Sequence, residues 1–234
     1  MNISNLFERP DFLHAVCKWE QYRDGKLVDS GDAHNFTTNS GRNFAAAQAY
    51  SASPGANGLN YIGMSNDTVT ETATSTTLSN EITTSGFGRA QGTVTNPTGI
   101  SSTTTTDTGG VGANSATDTF VNVVSTYGMV AGSVIQIAGE QILVGAVAST
   151  TQVTGCTRGY NGTTGAAHTS GSAVSNTNTT IITHTFTASG SVSCQKAALF
   201  SAGLSGTMSH VVSMGARSLL SGDSLAVTFY VCLG

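Results

Sequence analysis

The chain has 234 residues, of which 9% are charged, and its formal net charge is −4 at pH 7. So small a net charge argues against a disordered chain, and the scarcity of Lys and Arg argues against a nucleic-acid partner. No apolar run is long enough to cross a membrane, and the N-terminus lacks the basic and apolar regions of a secretory signal. The abundance of Thr, Val and Gly favours strands and turns. A weakly charged surface is typical of an assembly subunit, and a plain all-β domain with a Thr-rich outer face is the alternative.

The first predicted elements are an N-terminal arm and a β-hairpin. Pro10 blocks continuation of a helix and therefore favours an extended arm. Two alternating runs flank Asp24-Gly25, which fits a type I′ turn because both central residues of that turn need positive φ. The alternation assigns three side chains to one face of the first strand: Cys17, Trp19 and Gln21. Trp19 is the only tryptophan, and we expect it to anchor the hairpin on an apolar surface.

A short helix and two strands follow the hairpin. The Ala-rich stretch 39–52 predicts a helix, with Asn39 or Ser40 accepting hydrogen bonds from first-turn amides and Pro54-Gly55 ending it. Residues 58–66 and 89–96 have strand patterns, whereas the low-complexity run 103–117 indicates a linker or loop.

From Asp118 a series of short strands indicates a compact β module of about 60 residues, a size that is marginal on its own. Ala138-Gly139 and Asn161-Gly162 mark its turns. Five apolar residues are expected to form its core: Ile135, Ile137, Ile142, Val144 and Val147.

Four more strands are predicted at 179–188, 191–202, 207–214 and 222–234, bounded by Gly and Ser. With the strands before the module they would form one antiparallel β-sandwich or barrel. The sequence thus predicts an all-β chain with one short helix. Its predicted parts are an arm and hairpin (1–38), a main sandwich domain (39–106 and 179–234) and an inserted small β module (107–178).

Groups able to do chemistry are few. The spacing of the four cysteines matches no zinc site, so free thiols are expected, with a Cys194–Cys232 disulfide as the alternative. Five scattered histidines and the absence of P-loop, nucleophile-elbow or dinucleotide motifs predict no catalytic, metal or cofactor residues. A glycosidase-like pair of Glu71 and Glu81 is conceivable, but it falls in a Thr-rich, loop-like stretch. We therefore expect a non-enzymatic protein.

Residues 133–174 resemble a small β module that recurs in structural proteins of tailed bacteriophages. The pattern of that module runs IxIxxEqmLVxxV and then TVtRGynGTtaaaH, and the string RGYNGTT is its most specific part here. The matching positions are Glu140, Leu143, Val144, Arg158, Gly159, Tyr160, Asn161, Gly162, Thr163 and His168. Other stretches, GKLVDSGDAHNFTTNSGRNF, TTLSNEITTSGFGRAQGTVT, THTFTASGSVSCQKAALFSA and SGDSLAVTF, are also similar to phage virion patterns. Ala198 departs from them, because the pattern often has Gly at this position.

The candidate site residues have structural or interface roles rather than catalytic ones. They are Trp19, Tyr22, Asp24, Gly25, Glu140, Arg158, Tyr160, Asn161 and Gly162. We expect Arg158 to bind carbonyls or Glu140, rather than a ligand, and Tyr160–Gly162 to form a tight turn with the aromatic ring pinned beneath it. His168 is expected to cap or pair locally rather than bind a metal.

The resemblance implies a virion structural protein that is assembled in the cytoplasm of the host bacterium. The sequence favours a head decoration or cement protein, whose arm contacts the major capsid protein or other virion subunits. Contacts with copies of itself, as a homotrimer or another homo-oligomer, are expected as well. A tail component of the baseplate, collar or fibre base is the alternative, and a glycan-binding module is a third class. No cofactor, nucleic acid or membrane is expected as a partner.

Overall fold

The computed structural model describes residues 13–50, 58–95, 101–105 and 115–233. The predicted arm before residue 13, the Pro54-Gly55 stop and most of the predicted linker 103–117 lie outside the described residues. Across these residues the fold is mostly β, with 51% of them in strands, one α-helix and no closed barrel. The predicted all-β class, with antiparallel sheets in a sandwich, is therefore confirmed. Within the described ranges, no helix is long and apolar enough to span a membrane.

The described residues form one α-helix, α1 (Asn39–Tyr50), one turn of 3₁₀ helix (Tyr160–Gly162) and seventeen strands. The strands are β1 (Leu13–Arg23), β2 (Lys26–His34), β3 (Phe36–Thr37), β4 (Tyr61–Ser65), β5 (Ala90–Gln91), β6 (Thr93–Thr95), β7 (Ser101–Thr103), β8 (Phe120–Asn122), β9 (Val134–Ile137), β10 (Glu140–Leu143), β11 (Ala146–Ser149), β12 (Gln152–Thr154), β13 (Ala173–Asn176), β14 (Thr179–Thr187), β15 (Val192–Phe200), β16 (Met208–Leu219) and β17 (Ser224–Leu233).

The chain divides into two compact units. Of the described residues, those within 13–94 and 182–229 form the larger unit, and those within 95–181 and 230–233 form the smaller unit. The described part of the predicted insertion at 107–178 lies in the smaller unit, whereas the hairpin strands lie in the larger unit with the sandwich strands.

Two five-stranded sheets build the larger unit, in the orders β2-β1-β17-β14-β6 and β3-β16-β15-β4-β5. Strand β17 shows the alternation expected of a sheet with one buried face, whereas β4 and β15 are buried along most of their length. In β17, Leu225, Val227 and Phe229 are wholly buried. Phe87 and Phe186, both buried, stack with ring centroids 5.2 Å apart.

The predicted hairpin is confirmed. Asp24 (φ 49°) and Gly25 (φ 72°) both have the positive φ of a type I′ turn. β1 and β2 pair antiparallel with Trp19 opposite Gly31, and the register shifts at Gln21/Tyr22. The assigned face is also confirmed, since Cys17, Trp19 and Gln21 are all buried.

The predicted helix forms, but its cap is Thr38 rather than Asn39 or Ser40. The Thr38 hydroxyl accepts a hydrogen bond from the Gly41 amide at 3.0 Å and donates one to the Met208 carbonyl at 2.6 Å. Thr38 is wholly buried, so its hydroxyl needs both partners. A contact with β16, which local sequence cannot show, therefore selects this residue as the cap.

The single strand predicted at 89–96 is wrong in one respect, because β5 and β6 belong to different sheets. The chain changes sheets at Gly92, whose amide donates to the Asn60 carbonyl at 2.7 Å. A Cβ on Gly92 would lie 2.7 Å from Ile182 Cγ2, so only glycine fits there without displacement.

The four strands predicted after residue 179 are confirmed as β14 to β17, and β16 continues past the predicted end at 214. Lys196 pairs with Ser213 and Cys194 with Arg217, so β16 carries extra residues in a bulge. Gly215 has φ 73°, which relieves the strain of this bulge and lets the strand continue.

The smaller unit contains a four-stranded sheet, β10-β9-β13-β7, and a three-stranded sheet, β11-β12-β8. Its predicted core is confirmed, since four of the five expected residues are buried together and Val147 packs against them. The Ala138-Gly139 turn is also confirmed, with Ala138 at φ 52°.

Candidate functional site

A buried carboxylate, Glu140, organises the module that carries the resemblance. It is the first residue of β10, directly after the Ala138-Gly139 turn. Arg158 binds it through two parallel hydrogen bonds, Nε to Oε1 and a terminal nitrogen to Oε2, both at 2.8 Å. His168 Nε2 lies 2.6 Å from Oε2. We call Glu140, Arg158 and His168 the Glu140 cluster, and it joins residues that are up to 28 positions apart.

Backbone groups complete the cluster. The amides of Gly159 and Ala166 donate to the Glu140 carboxylate at 3.0 and 3.1 Å. The Arg158 guanidinium in turn donates to the carbonyls of Ser115 and Ala166. The expected bonding of Arg158 to carbonyls and to Glu140 is confirmed, and so is the local pairing of His168.

The cluster holds Glu140 ionised. Burial by itself would raise the pKa of Glu140, but hydrogen bonds from Arg158, from the two amides and from His168 outweigh burial and lower that pKa from 4.5 to about 2. A carboxyl with so low a pKa has no proton to donate at neutral pH. The geometry therefore fits a structural tie between β10 and the loop after Arg158.

The predicted turn at Tyr160–Gly162 is confirmed as one turn of 3₁₀ helix. Asn161 (φ 54°) and Gly162 (φ 78°) both adopt positive φ. The Asn161 side chain donates to Gln141 Oε1 at 2.8 Å, so the turn lies against β10. Tyr160 is half-buried, and the expected packing of its ring beneath the turn stays a prediction.

The other four candidate residues, Trp19, Tyr22, Asp24 and Gly25, lie in the hairpin of the larger unit, not at the Glu140 cluster. Trp19 is 6% exposed. The Arg217 guanidinium carbon lies 4.7 Å from the centroid of its ring, a cation–π contact. Tyr22 donates its hydroxyl hydrogen to Glu20 at 2.5 Å on the exposed face. These residues shape the hairpin rather than forming a pocket.

We expect Gly31→Ala to destabilise the hairpin. A Cβ on Gly31 would lie 2.5 Å from Trp19 Cζ2, so the buried indole would have to move. The free energy of unfolding should fall by about 1–3 kcal/mol, the usual cost of overpacking, as measured by urea unfolding followed through Trp19 fluorescence. Gly190→Ala is the control, because the nearest atom to its added Cβ is Ser85 Oγ at 3.7 Å. Equal stability of the two variants would contradict the prediction.

Sequence reasoning missed a second ion cluster, formed by Lys196, Asp67 and Glu71. The Lys196 ammonium lies 2.6 Å from Asp67 Oδ1 and 3.0 Å from Glu71 Oε1, and it also donates to the Val69 carbonyl at 2.8 Å. Lys196 is 4% exposed, and it is the one charged residue of β15. It is the only charged residue between Arg158 and Arg217, which was the signal that it has a buried partner.

Glu71 and Glu81, which were considered as a catalytic pair, each bind a different cation. Glu81 binds Arg89 through both of its oxygens, at 2.8 and 2.6 Å, and the Arg89 guanidinium lies 3.4 Å from the centroid of the Phe200 ring. Glu71 binds Lys196 and the Ser79 amide. Each carboxylate therefore has its own cation and fastens its own loop.

A groove of about 270 Å³ lies beside Lys196. His34, Thr68, Gln195 and Ser213 are among its lining residues. Gln195 donates to the Asn66 carbonyl, so its amide is engaged within the chain. Within the described ranges, no group of His, Cys, Asp and Glu residues is placed to hold a metal ion.

All four cysteines are free and buried. Burial raises the pKa of Cys156 to about 11 and that of Cys194 to about 12. Thiols that stay protonated at neutral pH are poor nucleophiles, so these cysteines act as small core residues.

In sequence comparisons, no protein-family model and no curated protein matches this chain.

Proposed function

We propose that this chain is a non-enzymatic structural subunit of a tailed-phage virion that decorates and cements the head shell. The observation that supports the proposal most is the Glu140 cluster. Residues that carry the resemblance to the phage module, Glu140, Arg158 and His168, meet in one buried cluster. They act together as one structural unit, as the fold-defining positions of a recurring module would.

The use of charge supports the same proposal. Five cations form internal ion pairs: Arg23, Arg89, Arg158, Lys196 and Arg217. These ion pairs fasten turns and loops to sheets, and the side chains of all five cations except Arg23 are at most 13% exposed, so the pairs remove part of the charge of the chain from its surface. A weakly charged surface suits a subunit that meets other proteins, because little charge has to be desolvated at the contact.

The hairpin supplies a surface for attachment to the shell. Leu27 and Val28, just after the turn, are 52% and 51% exposed, and Leu220 is 53% exposed. Arg23 binds Asp223 at 2.7 Å, and Asp223 accepts a hydrogen bond from the Leu220 amide. This pairing holds the hairpin tip and the β16–β17 turn in one fixed arrangement, so the three apolar side chains can act as rigid anchors.

Particles assembled without this protein test the proposal. We expect such heads to open at lower temperature than complete heads, and purified protein added back should restore their stability. Leu27→Ser combined with Leu220→Ser should restore it less well, whereas Leu204→Ser, which changes an 88% exposed leucine elsewhere in the same unit, should act like the unaltered protein. Heads of unchanged stability with defective tails would overturn the assignment to the head and favour a tail component.

A further inference from the structure

Lys196 lies at the centre of one sheet of the larger unit. Its strand, β15, is the middle strand of the order β3-β16-β15-β4-β5, and Lys196 lies opposite Ser65 of β4. The side chains of Lys196 and Glu71 are each 5% exposed, and that of Asp67 is 13% exposed. We call Lys196, Asp67 and Glu71 the Lys196 cluster. An amine and two carboxyl groups are therefore held together where little water reaches them.

The Lys196 ammonium has one acceptor for each of its three hydrogens. The acceptors are Asp67 Oδ1 at 2.6 Å, Glu71 Oε1 at 3.0 Å and the Val69 carbonyl at 2.8 Å. The Asp67 carboxyl is itself held in place, because Asn80 donates to its other oxygen, Oδ2, at 2.9 Å. The nitrogen thus lies in a fixed orientation against the Asp67 carboxyl group, and this replaces the encounter of two free reactants.

The chemistry of the cation distinguishes this cluster from the other ion pairs. Arg23, Arg89, Arg158 and Arg217 also bind carboxylates, but a guanidinium does not give up its proton in proteins. An alkyl amine, by contrast, becomes a nucleophile when it loses one proton. The Lys196 cluster also has a second carboxylate on the same nitrogen, which can take up a proton during a reaction.

We propose that Lys196 and Asp67 join through an amide bond within the folded chain, with Glu71 as the proton carrier. One ammonium hydrogen passes to Asp67, and the lone pair that it leaves on Nζ forms a bond to Asp67 Cγ. Glu71 then takes a second hydrogen from Nζ and returns it to the Asp67 hydroxyl, whose C–O bond breaks to release water. The third hydrogen stays on the amide nitrogen and faces the Val69 carbonyl. Glu71 ends unchanged, and no oxidant or other reactant is consumed.

Burial favours the amide over the ion pair, because two charges that are costly to keep away from water disappear. The released water can leave through the groove beside Lys196, which Val69 and Glu71 also line. The hydrogen bond from Lys196 lowers the pKa of Asp67, so the ion pair is the resting state. The uncharged pair contains the same protons as the ion pair, so its share does not depend on the pH of the solution. A bond that forms only once tolerates such a slow step.

Intact-mass spectrometry of the purified full chain tests the inference without any particle, so its result is independent of the proposed function. We expect a mass about 18 Da below that of the sequence, the loss of one water. Trypsin should then release a branched peptide that joins residues 43–89 to residues 159–217, since an acylated Lys196 is no longer a cleavage site. The peptide has to be mapped, because closure of Asp24-Gly25 to a cyclic imide also loses one water.

Variants of the cluster test the assigned roles. Asp67→Ala and Lys196→Met should both have the full mass of their sequences. Glu71→Gln keeps both reacting groups but cannot carry the proton, so the branched peptide should form at least about a hundredfold more slowly after refolding. Lys26→Met, at an exposed position in the hairpin, is the control and should lose water as the unaltered chain does.

Three outcomes would overturn the inference. The first is the full sequence mass in the unaltered chain, even after prolonged incubation of the folded protein. The second is a loss of water that maps to Asp24-Gly25 or that persists in Lys196→Met. The third is formation of the branched peptide in Glu71→Gln at the rate of the unaltered chain, which would contradict the step as written.

Discussion

Glu140→Gln is expected to lower the free energy of unfolding of the smaller unit by about 3–5 kcal/mol, the usual cost of breaking a buried ion pair. The change keeps the shape of the side chain but leaves the Arg158 guanidinium, which is 8% exposed, without its counter-charge. In addition, an amide nitrogen replaces a carboxylate oxygen that accepts hydrogen bonds from Arg158, the Ala166 amide and His168, so donors face a donor. Thermal unfolding should show a midpoint lower by at least about 10 °C.

The pH dependence of this loss identifies its cause. The pKa of Glu140 is depressed from 4.5 to about 2, so the carboxylate contributes stability that is complete above pH 4.5 and disappears as the pH falls toward 2. A shift of this size corresponds to about 3 kcal/mol. The difference in stability between the unaltered chain and Glu140→Gln should therefore be largest above pH 4.5 and shrink below it.

Asp118→Asn provides the matched control, because it makes the same acid-to-amide change in the same unit. Asp118 Oδ2 accepts a hydrogen bond from the Ser115 amide, and its loss should cost about 1 kcal/mol or less. Equal losses in the two variants, or a Glu140→Gln difference that does not change with pH, would contradict a structural role for the ionised carboxylate.

Local patterns were sufficient to predict much of the fold. The hairpin followed from Asp24-Gly25, because a type I′ turn depends on two adjacent residues and its strands on period-two alternation. The core around Ile135 and Ile142 followed from the same alternation on either side of the Ala138-Gly139 turn. Such features depend on residues that are close in sequence, so one chain is enough to find them.

Features that depend on tertiary contacts could not be predicted in this way. Thr38 rather than Asn39 caps the helix because its hydroxyl also meets Met208, which is 170 positions away. The chain passes from one sheet to the other at Gly92, where the nearby Ile182 side chain leaves no room for a Cβ. Neither contact leaves a trace in the neighbouring sequence.

The candidate site shows the same division. Glu140 and Arg158 are 18 positions apart within one module, and the resemblance had already placed them in one pattern. Lys196 and Glu71 are 125 positions apart, and no motif joined them. The available signal was Lys196 itself, a lone charge in a predicted strand, since a buried ammonium requires a counter-charge.

Lys196→Met is expected to be the most damaging change in the larger unit, with a loss of about 3–5 kcal/mol. Methionine preserves the packing of the side-chain stem, so the loss comes from the carboxylates of Asp67 and Glu71, which are left without their cation. The segment that carries them has no regular secondary structure between β4 and β5. Hydrogen–deuterium exchange should therefore rise in residues 67–79 before the sheets are affected, and urea unfolding gives the total loss.

A triple variant separates the unpaired charges from lost packing. Adding Asp67→Asn and Glu71→Gln to Lys196→Met removes the two negative charges that lost their cation, so we expect the triple variant to recover part of the lost stability. Lys26→Met, at an exposed position in the hairpin, should change stability by no more than about 0.5 kcal/mol. If Lys196→Met were as mild as Lys26→Met, or if the triple variant were less stable than Lys196→Met alone, the ion cluster would not be what holds this loop. Recovery in the triple variant is the expected result, and it would show that neutralisation of the two carboxylates is what holds the loop. The structure supports this, since the Lys196 ammonium lies 2.6 Å from Asp67 and 3.0 Å from Glu71, with little access to water.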